Sequence, residues 1–315
     1  MFARKITGGK MADRLTVLIT GSDGQLGTEL RKLVRKGDCH VGRFLFVDID
    51  VLDICNRADV HHYFKTNHID VVVNCAAYTA VDKAESDADA AFAVNRDGVA
   101  ILAECCVEEG AYMIHVSTDY VFDGRGSIPY KESDAVNPTG VYGQSKWEGE
   151  EKMREKGVDG MVIRTAWLYS AFGHNFVKTM LRLGAEREQI SVVADQHGTP
   201  TWAEDLARAI LSIMQKCDFK TRHGLEIYHY TNEGECTWYE FASAIMQMAG
   251  KTCQVMPISS DEYPASCRRP AYSVLDKSKI KEEFGLDIPL WDDSLQKMLD
   301  ELKGMNEPNS KESWR

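Results

Sequence analysis

Between Leu15 and Thr165 five short apolar runs alternate with longer segments of helical periodicity, and no other feature constrains the fold as tightly. The runs cover 15–20, 44–48, 71–74, 112–117 and 161–165. Each is nearly continuous in apolar, often β-branched residues, the pattern of strands covered on both faces; strands wet on one face alternate instead. The segments between them, about 24–35, 58–67, 88–109 and 142–156, carry helical spacing. Strand and helix in turn predict parallel strands joined by crossover helices, hence an α/β chain with a doubly wound parallel sheet.

Past Trp167 the rhythm changes. A helix over 176–185, a strand over 189–193 and a helix over 202–215 are expected, with Ile227–Tyr230 returning to the main sheet. These readings divide the chain into a disordered extension (1–13), a sheet domain (14–168, with 202–232 returning to it), a smaller mixed α/β lobe (169–201 and 233–303) and a flexible tail (304–315).

The chain of 315 residues has a formal net charge of −11, which argues against nucleic acid or an anionic membrane as a partner. A few local basic groups can still hold a phosphorylated small molecule. The nine cysteines contain no C-x-x-C pair and no metal spacing. Free buried thiols in a reducing cytoplasm are therefore expected. Met1–Asp13 lacks the apolar core of a secretory signal, and no run approaches the ~20 apolar residues of a membrane-spanning helix.

Gly21-Ser22-Asp23-Gly24-Gln25-Leu26-Gly27 follows the first run directly and opens the first helix. Glycines there allow a tight turn, close approach of a pyrophosphate and close packing of helix on strand, giving the sheet a Rossmann-type character. The helix N-terminus adds free N–H groups and partial positive charge. Gly21, Asp23, Gly24, Gln25, Leu26 and Gly27 are thus candidate cofactor-binding residues. Asp48 ends the second strand, where a carboxylate can accept from an adenosine ribose and repel a 2′-phosphate. NADH is accordingly expected to serve at least as well as NADPH. Asp53 and Ile54 are candidates beside the adenine. Ala76, Ala77 and Tyr78, after the third strand, would let a dinucleotide cross the sheet edge.

Tyr142 and Lys146 stand four residues apart on a predicted helix and share one face. A phenol with a pKa of ~10 is a poor acid near neutrality. An ammonium beside it is expected to lower that pKa and make Tyr142 a usable general acid.

Together the glycine turn, Asn74–Glu85, Ser117–Gly124, Tyr142–Lys146, Arg164–Tyr169, Asn175–Met180, Asp195–Thr201 and Arg269–Val274 resemble the extended short-chain dehydrogenase/reductases. Within them the motifs are most similar to the dTDP-4-dehydrorhamnose reductases, over about Leu15 to Leu302. The resemblance implies reduction of the C4 keto group of a dTDP-linked 4-keto-6-deoxy sugar by NAD(P)H. It makes the sheet domain dinucleotide-binding and the lobe substrate-binding. Tyr142 would be the proton donor, Lys146 the holder of the nicotinamide ribose, and Thr118 a hydrogen-bond donor to the sugar oxygen. Asp119, Tyr120 and Trp167 would face the sugar. Lys178, Arg182, Arg268 and Arg269 are candidates for the substrate pyrophosphate, with Asn175 and Gln196 as further polar contacts. The resemblance also implies a homodimer and a structural Mg2+ held by Glu29, Glu204 and Glu301. Two alternatives stay open: a non-catalytic relative like the regulatory β subunit of methionine adenosyltransferase, and a sugar-nucleotide epimerase or 4,6-dehydratase. The intact Thr118, Tyr142 and Lys146 set argues against the first. Asp119 followed by Tyr120, not by a second acid, argues against a dehydratase.

Overall fold

The computed structural model of the chain describes residues 15–264, 267 and 269–306. The expected extension over 1–13, Arg268, and all but the first three residues of the tail expected over 304–315 lie outside the described residues; those three, 304–306, instead continue the last helix.

Six parallel strands form the central sheet: β1 (Leu15–Thr20), β2 (Gly42–Phe46), β3 (Val71–Asn74), β4 (Tyr112–Thr118), β5 (Gly160–Thr165) and β6 (Leu225–His229). Their order is β6-β5-β4-β3-β1-β2. The chain leaves β1 for β2 on one side and crosses back to β3 on the other. That reversal opens a crevice at the C-terminal ends of β1 and β3, where ligands of doubly wound sheets bind.

The principal helices are α1 (Gln25–Lys36), α2 (Arg57–Asn67), α3 (Val99–Glu109), α4 (Val141–Lys156), α5 (Phe176–Glu186), α6 (Ala203–Lys216), α7 (Trp238–Met248) and α8 (Trp291–Asn306). Two apolar layers cover the sheet. Leu26, Leu30 and Leu33 of α1 meet Leu206, Ile210 and Ile213 of α6 and the β-strand residues Val17 and Val71 on one face. Leu102 and Cys106 of α3 and Met153 of α4 pack on Leu18, Val72 and Val162 on the other. Both faces of β1 are therefore dry, as its unbroken apolar run requires.

The segment over 88–109 is expected as one helix. The chain instead inserts a π turn at Ala93–Gly98 between a short helix, Ala88–Phe92, and α3. Its extra residue turns Asn95 inward, fully buried, between the loop after β3 and α4. Strand β2 begins and ends two residues before the expected 44–48. Val47 still donates to the Ile19 carbonyl at 2.9 Å, but Asp48 has left the ladder to hold the glycine turn.

In the second half, Gln189–Val193 pairs in parallel with Gln254–Ile258. Tyr169, Val177, Phe241, Ile245, Leu295 and Met298 form a separate apolar cluster there. Strand β6 joins the edge of the main sheet beside β5, in the place expected for Ile227–Tyr230. Among the described residues no helix is long and apolar enough to cross a membrane.

Candidate active site

At the end of β1 the backbone turns through Gly21 at φ 62°. A Cβ there would lie 2.5 Å from the Ala76 amide nitrogen, and one at Gly27 would lie 2.4 Å from the Gly21 carbonyl. Only glycine lets the turn, α1 and the loop after β3 approach so closely. Helix α1 starts at Gly24 with no side-chain cap, which leaves its first N–H groups for a ligand. Asp48 braces the turn: its carboxylate accepts from the Asp23 and Ile49 N–H groups, each at 2.8 Å. The Asp23 side chain is taken up by Arg31 at 2.8 Å. Asp53 accepts from the Cys55 N–H at 2.9 Å, and buried Ile54 packs against Gly98 of the π turn.

A cavity of about 830 Å³ runs from this turn across the sheet edge. Gly21, Gly24, Gln25, Leu26, Asp48, Asp53, Ile54, Ala76, Ala77 and Tyr78 line one end, and Thr118, Asp119, Tyr120, Tyr142, Lys146, Trp167 and Arg269 line the other. Asp23 and Gly27 support the turn from outside the cavity wall.

Helix α4 delivers Tyr142 and Lys146. Its Gly143 and Gly149 face the carbonyls of Tyr120 and Asn95 so closely that any Cβ would overlap them. Lys146 is buried and donates from Nζ to the Val116 carbonyl at 2.7 Å. Burial pushes its pKa down to about 8 against the opposing pull of Glu150 and Cys75. Sequence spacing predicts a lowered phenol. Instead, burial pushes Tyr142 up to about 12, with a Thr118 hydrogen bond offsetting part of this and Asp119 adding to it. At neutral pH Tyr142 therefore holds its proton, as a proton donor must. Its ring meets Tyr120 edge-on at 5.5 Å. Thr118 donates to Asp119 at 3.0 Å, and burial raises the Asp119 carboxyl to about 6.

The sequence assigns no role to four polar residues behind this wall, Thr20, Asn74, His115 and Asn95. Thr20 donates to Asn74 Oδ1 at 2.6 Å, and the Ala76 N–H donates to the same oxygen at 3.2 Å. Asn74 Nδ2 is thereby turned to His115 Nδ1 at 2.9 Å, and His115 Nε2 lies 3.4 Å from Lys146 Nζ. Asn95 accepts from the Tyr78 N–H at 2.9 Å and donates to Ser145 of α4 at 3.0 Å. The only local signal is a polar residue inside an apolar pattern. Trp238 also lines the cavity and was not singled out in the sequence.

At the end of the cavity away from the glycine turn, Trp167 stacks on Trp238 with ring centroids 3.6 Å apart and holds φ 48°. A bulky residue in the left-handed region is strained, and such strain gathers at functional sites. Gly198 leaves room for its indole, 2.5 Å from where a Cβ would sit. Arg269 pairs with Asp82 at 3.1 Å. Asn175, Lys178 and Gln196 lie outside the cavity wall. Asn175 caps α5 and bonds Gln25 at 3.0 Å, Lys178 donates to the Ala171 carbonyl at 3.2 Å, and Gln196 donates to Ser260 at 2.9 Å. Arg182 pairs with Glu186 on the surface at 2.9 Å. Glu29, Glu204 and Glu301 do converge, away from the cavity, around the ammonium of Lys32.

The family described as RmlD substrate binding domain matches residues 15–304. A spore coat polysaccharide biosynthesis protein of Bacillus subtilis (strain 168), SpsK, is 39% identical over 285 residues, spanning 90% of this chain and 97% of its own. A dTDP-4-dehydrorhamnose reductase of Aggregatibacter actinomycetemcomitans is 41% identical over 288 residues, 89% of this chain and 97% of its own. The crystal structure of a dTDP-4-dehydrorhamnose reductase from Bacillus anthracis in complex with NADP is similar at a TM-score of 0.85 and 36% identity, over 92% of this chain and 100% of that one. By match over its length and by fold, this chain belongs to the RmlD family, that of the dTDP-4-dehydrorhamnose reductases.

Proposed function

We propose that the protein reduces the C4 keto group of dTDP-4-dehydro-L-rhamnose to the hydroxyl of dTDP-L-rhamnose, with NADH or NADPH as reductant. One observation carries the reading: Thr118, Tyr142 and Lys146 share a wall of the cavity whose other end is the turn at Gly21 and Gly24. The A. actinomycetemcomitans relative, a dTDP-4-dehydrorhamnose reductase, supports the reaction, and the B. anthracis one, in complex with NADP, supports the cofactor. A cytoplasmic homodimer, with 14–168 and 202–232 as the nucleotide half and 169–201 and 233–303 as the substrate half, belongs to the same reading.

The residues fit a dinucleotide. The N-terminus of α1 has no side-chain cap, and its free N–H groups would hold the phosphates. Ala76 and Ala77 leave it space at the sheet edge, and Asp48 offers a carboxylate to a ribose hydroxyl. When bound, the nicotinamide supplies the hydride. Tyr142 gives its proton to the ketone oxygen as charge grows there, and the Thr118 hydroxyl donates a hydrogen bond to the same oxygen. Lys146, anchored by the Val116 carbonyl, would hold the ribose hydroxyls and supply positive charge to the same wall of the cavity. The stacked Trp167 and Trp238 floor the sugar, and Arg269 meets the pyrophosphate.

The test is substrate-dependent loss of reduced-nicotinamide absorbance with dTDP-4-dehydro-L-rhamnose made by its upstream dehydratase and epimerase. Folded protein that oxidises neither NADH nor NADPH with this sugar would sink the reading.

The shifted groups also predict a pH profile. Lys146 carries its charge below about 8, and Asp119 is ionised above about 6. Tyr142 stays protonated throughout this window, because burial holds it near about 12. A plot of kcat/KM for NADPH against pH is therefore expected to peak between these two values, since it reports groups of the free enzyme. The basic limb is assigned to Lys146, and Lys146→Arg should move it out of range. An unchanged basic limb in that variant would reassign it.

A further inference from the structure

Outside the cavity, one cluster of buried ionisable groups takes no part in the chemistry above. Lys32 Nζ lies 2.5 Å from Glu29 Oε2, 2.6 Å from Glu204 Oε2 and 2.6 Å from Glu301 Oε1. The three carboxylates come from α1, α6 and α8, and the lysine from α1, one turn after Glu29. The Lys32 side chain is 2% exposed and that of Glu29 0%. Ser170 donates to Glu29 Oε1 at 2.7 Å, Arg208 pairs with Glu204 Oε1 at 2.6 Å, and the Phe172 ring lies 5.5 Å from Nζ.

The family resemblance implies a magnesium ion among these three glutamates. The residues present do not fit one. A hard divalent cation takes carboxylate oxygens at ~2.0–2.6 Å around a single point. Here that point is occupied by an ammonium nitrogen already at contact distance from all three acids. A metal there would have to evict Nζ from three carboxylates and from a pocket in which the lysine side chain is 2% exposed. Burial alone would depress the Lys32 pKa; the three acids reverse this and hold it well above its ordinary value.

We infer that Lys32 is the resident cation of this cluster. Its ammonium stands where a divalent ion would sit, so the fastening of cofactor helix α1 to α6 and α8 is independent of metal. The same geometry states what happens without it. Glu29 Oε2 and Glu301 Oε2 have no hydrogen-bond partner: the first lies close to Nζ but off hydrogen-bond geometry. Removing the ammonium leaves three acids whose ligand oxygens lie within 4.8 Å of one another, two of them carrying an oxygen that already lacks a hydrogen-bond partner. Neutralising Lys32 should therefore create a divalent-cation site that the natural chain lacks.

The experiment uses the full chain and Lys32→Met, a side chain of similar length without charge. Thermal unfolding is followed in EDTA and in millimolar MgCl2, and Mn2+ binding is followed by electron paramagnetic resonance. The natural chain is expected to melt at the same temperature in both media and to leave Mn2+ free. Lys32→Met is expected to melt lower in EDTA, to regain several degrees in MgCl2, and to bind one Mn2+ with a dissociation constant on the order of 10⁻⁴ M. Glu301→Gln added to Lys32→Met should abolish that binding. Destabilisation of the natural chain by EDTA, or Mn2+ binding to it that Glu301→Gln removes, overturns the inference. So does a folded Lys32→Met that ignores metal. Should Lys32→Met fail to fold, the natural chain and its Glu301→Gln variant still decide the matter.

Discussion

Tyr142→Phe is expected to lower kcat about 10²–10⁴-fold, the usual contribution of a positioned general acid. The loss is confined to the phenolic oxygen. The ring that meets Tyr120 edge-on at 5.5 Å is retained, so α4 and the loop after β4 keep their packing. NADPH binding should be nearly unchanged, because Lys146 and the glycine turn are untouched. Loss of kcat and kcat/KM in parallel marks an interaction made only in the transition state. Steady-state oxidation of NADPH, with cofactor binding followed by fluorescence, reads both quantities. A folded variant within tenfold of the natural enzyme would remove Tyr142 from the proton-donor role and turn attention to the Asp119 carboxyl, raised by burial to about 6.

Gly21→Ala is expected to act on stability and cofactor binding together. The residue combines φ 62° with a Cβ position 2.5 Å from Ala76 N and 2.6 Å from Ala76 Cα. Both obstacles are backbone, so no side chain can swing away. Left-handed strain and overpacking together cost on the order of 2–6 kcal/mol. Whatever relief the chain finds must part β1 from the loop after β3, which widens the crevice the dinucleotide would occupy. Denaturant unfolding should show a lowered midpoint, and the folded fraction should bind NADPH weakly. A variant as stable as the natural chain would overturn the close approach to Ala76 as the reason for glycine at position 21. The contrast with Tyr142→Phe is informative: one change removes chemistry from an intact frame, the other disturbs the frame.

Much of this frame is legible in the residues alone. Strands β1 and β3 fall where their apolar runs begin and end, because a strand buried on both faces cannot hide a polar residue mid-run. Tyr142 and Lys146 can be paired on paper because helical spacing is a local property. The π turn at Ala93–Gly98 could not be read, since 88–109 fits an ordinary helix equally well. The insertion exists to bury Asn95, whose partners Tyr78 and Ser145 lie 17 and 50 residues away.

Charge states were the least legible. Adjacency on a helix suggests that Lys146 lowers the Tyr142 pKa, yet the Lys146 ammonium is turned to the Val116 carbonyl, only a Thr118 hydrogen bond opposes burial, and the phenol is raised. Burial is a sum over neighbours from several elements, and no short window of sequence contains them. The glutamates are the sharpest case. Glu29, Glu204 and Glu301 can be matched to a metal site from the family resemblance, but nothing in the sequence marks Lys32, one turn after Glu29, as their partner. Only folding brings Glu301, 269 residues away, to within 2.6 Å of Lys32 and fills the site with an ammonium. The chain's periodicities and local motifs thus determined the sheet, the glycine turn and the Tyr–Lys pair, because each rests on neighbours within a few residues. The tertiary structure alone decided which of those groups carries charge, and what cation the acids hold, because electrostatics and desolvation depend on distances in space.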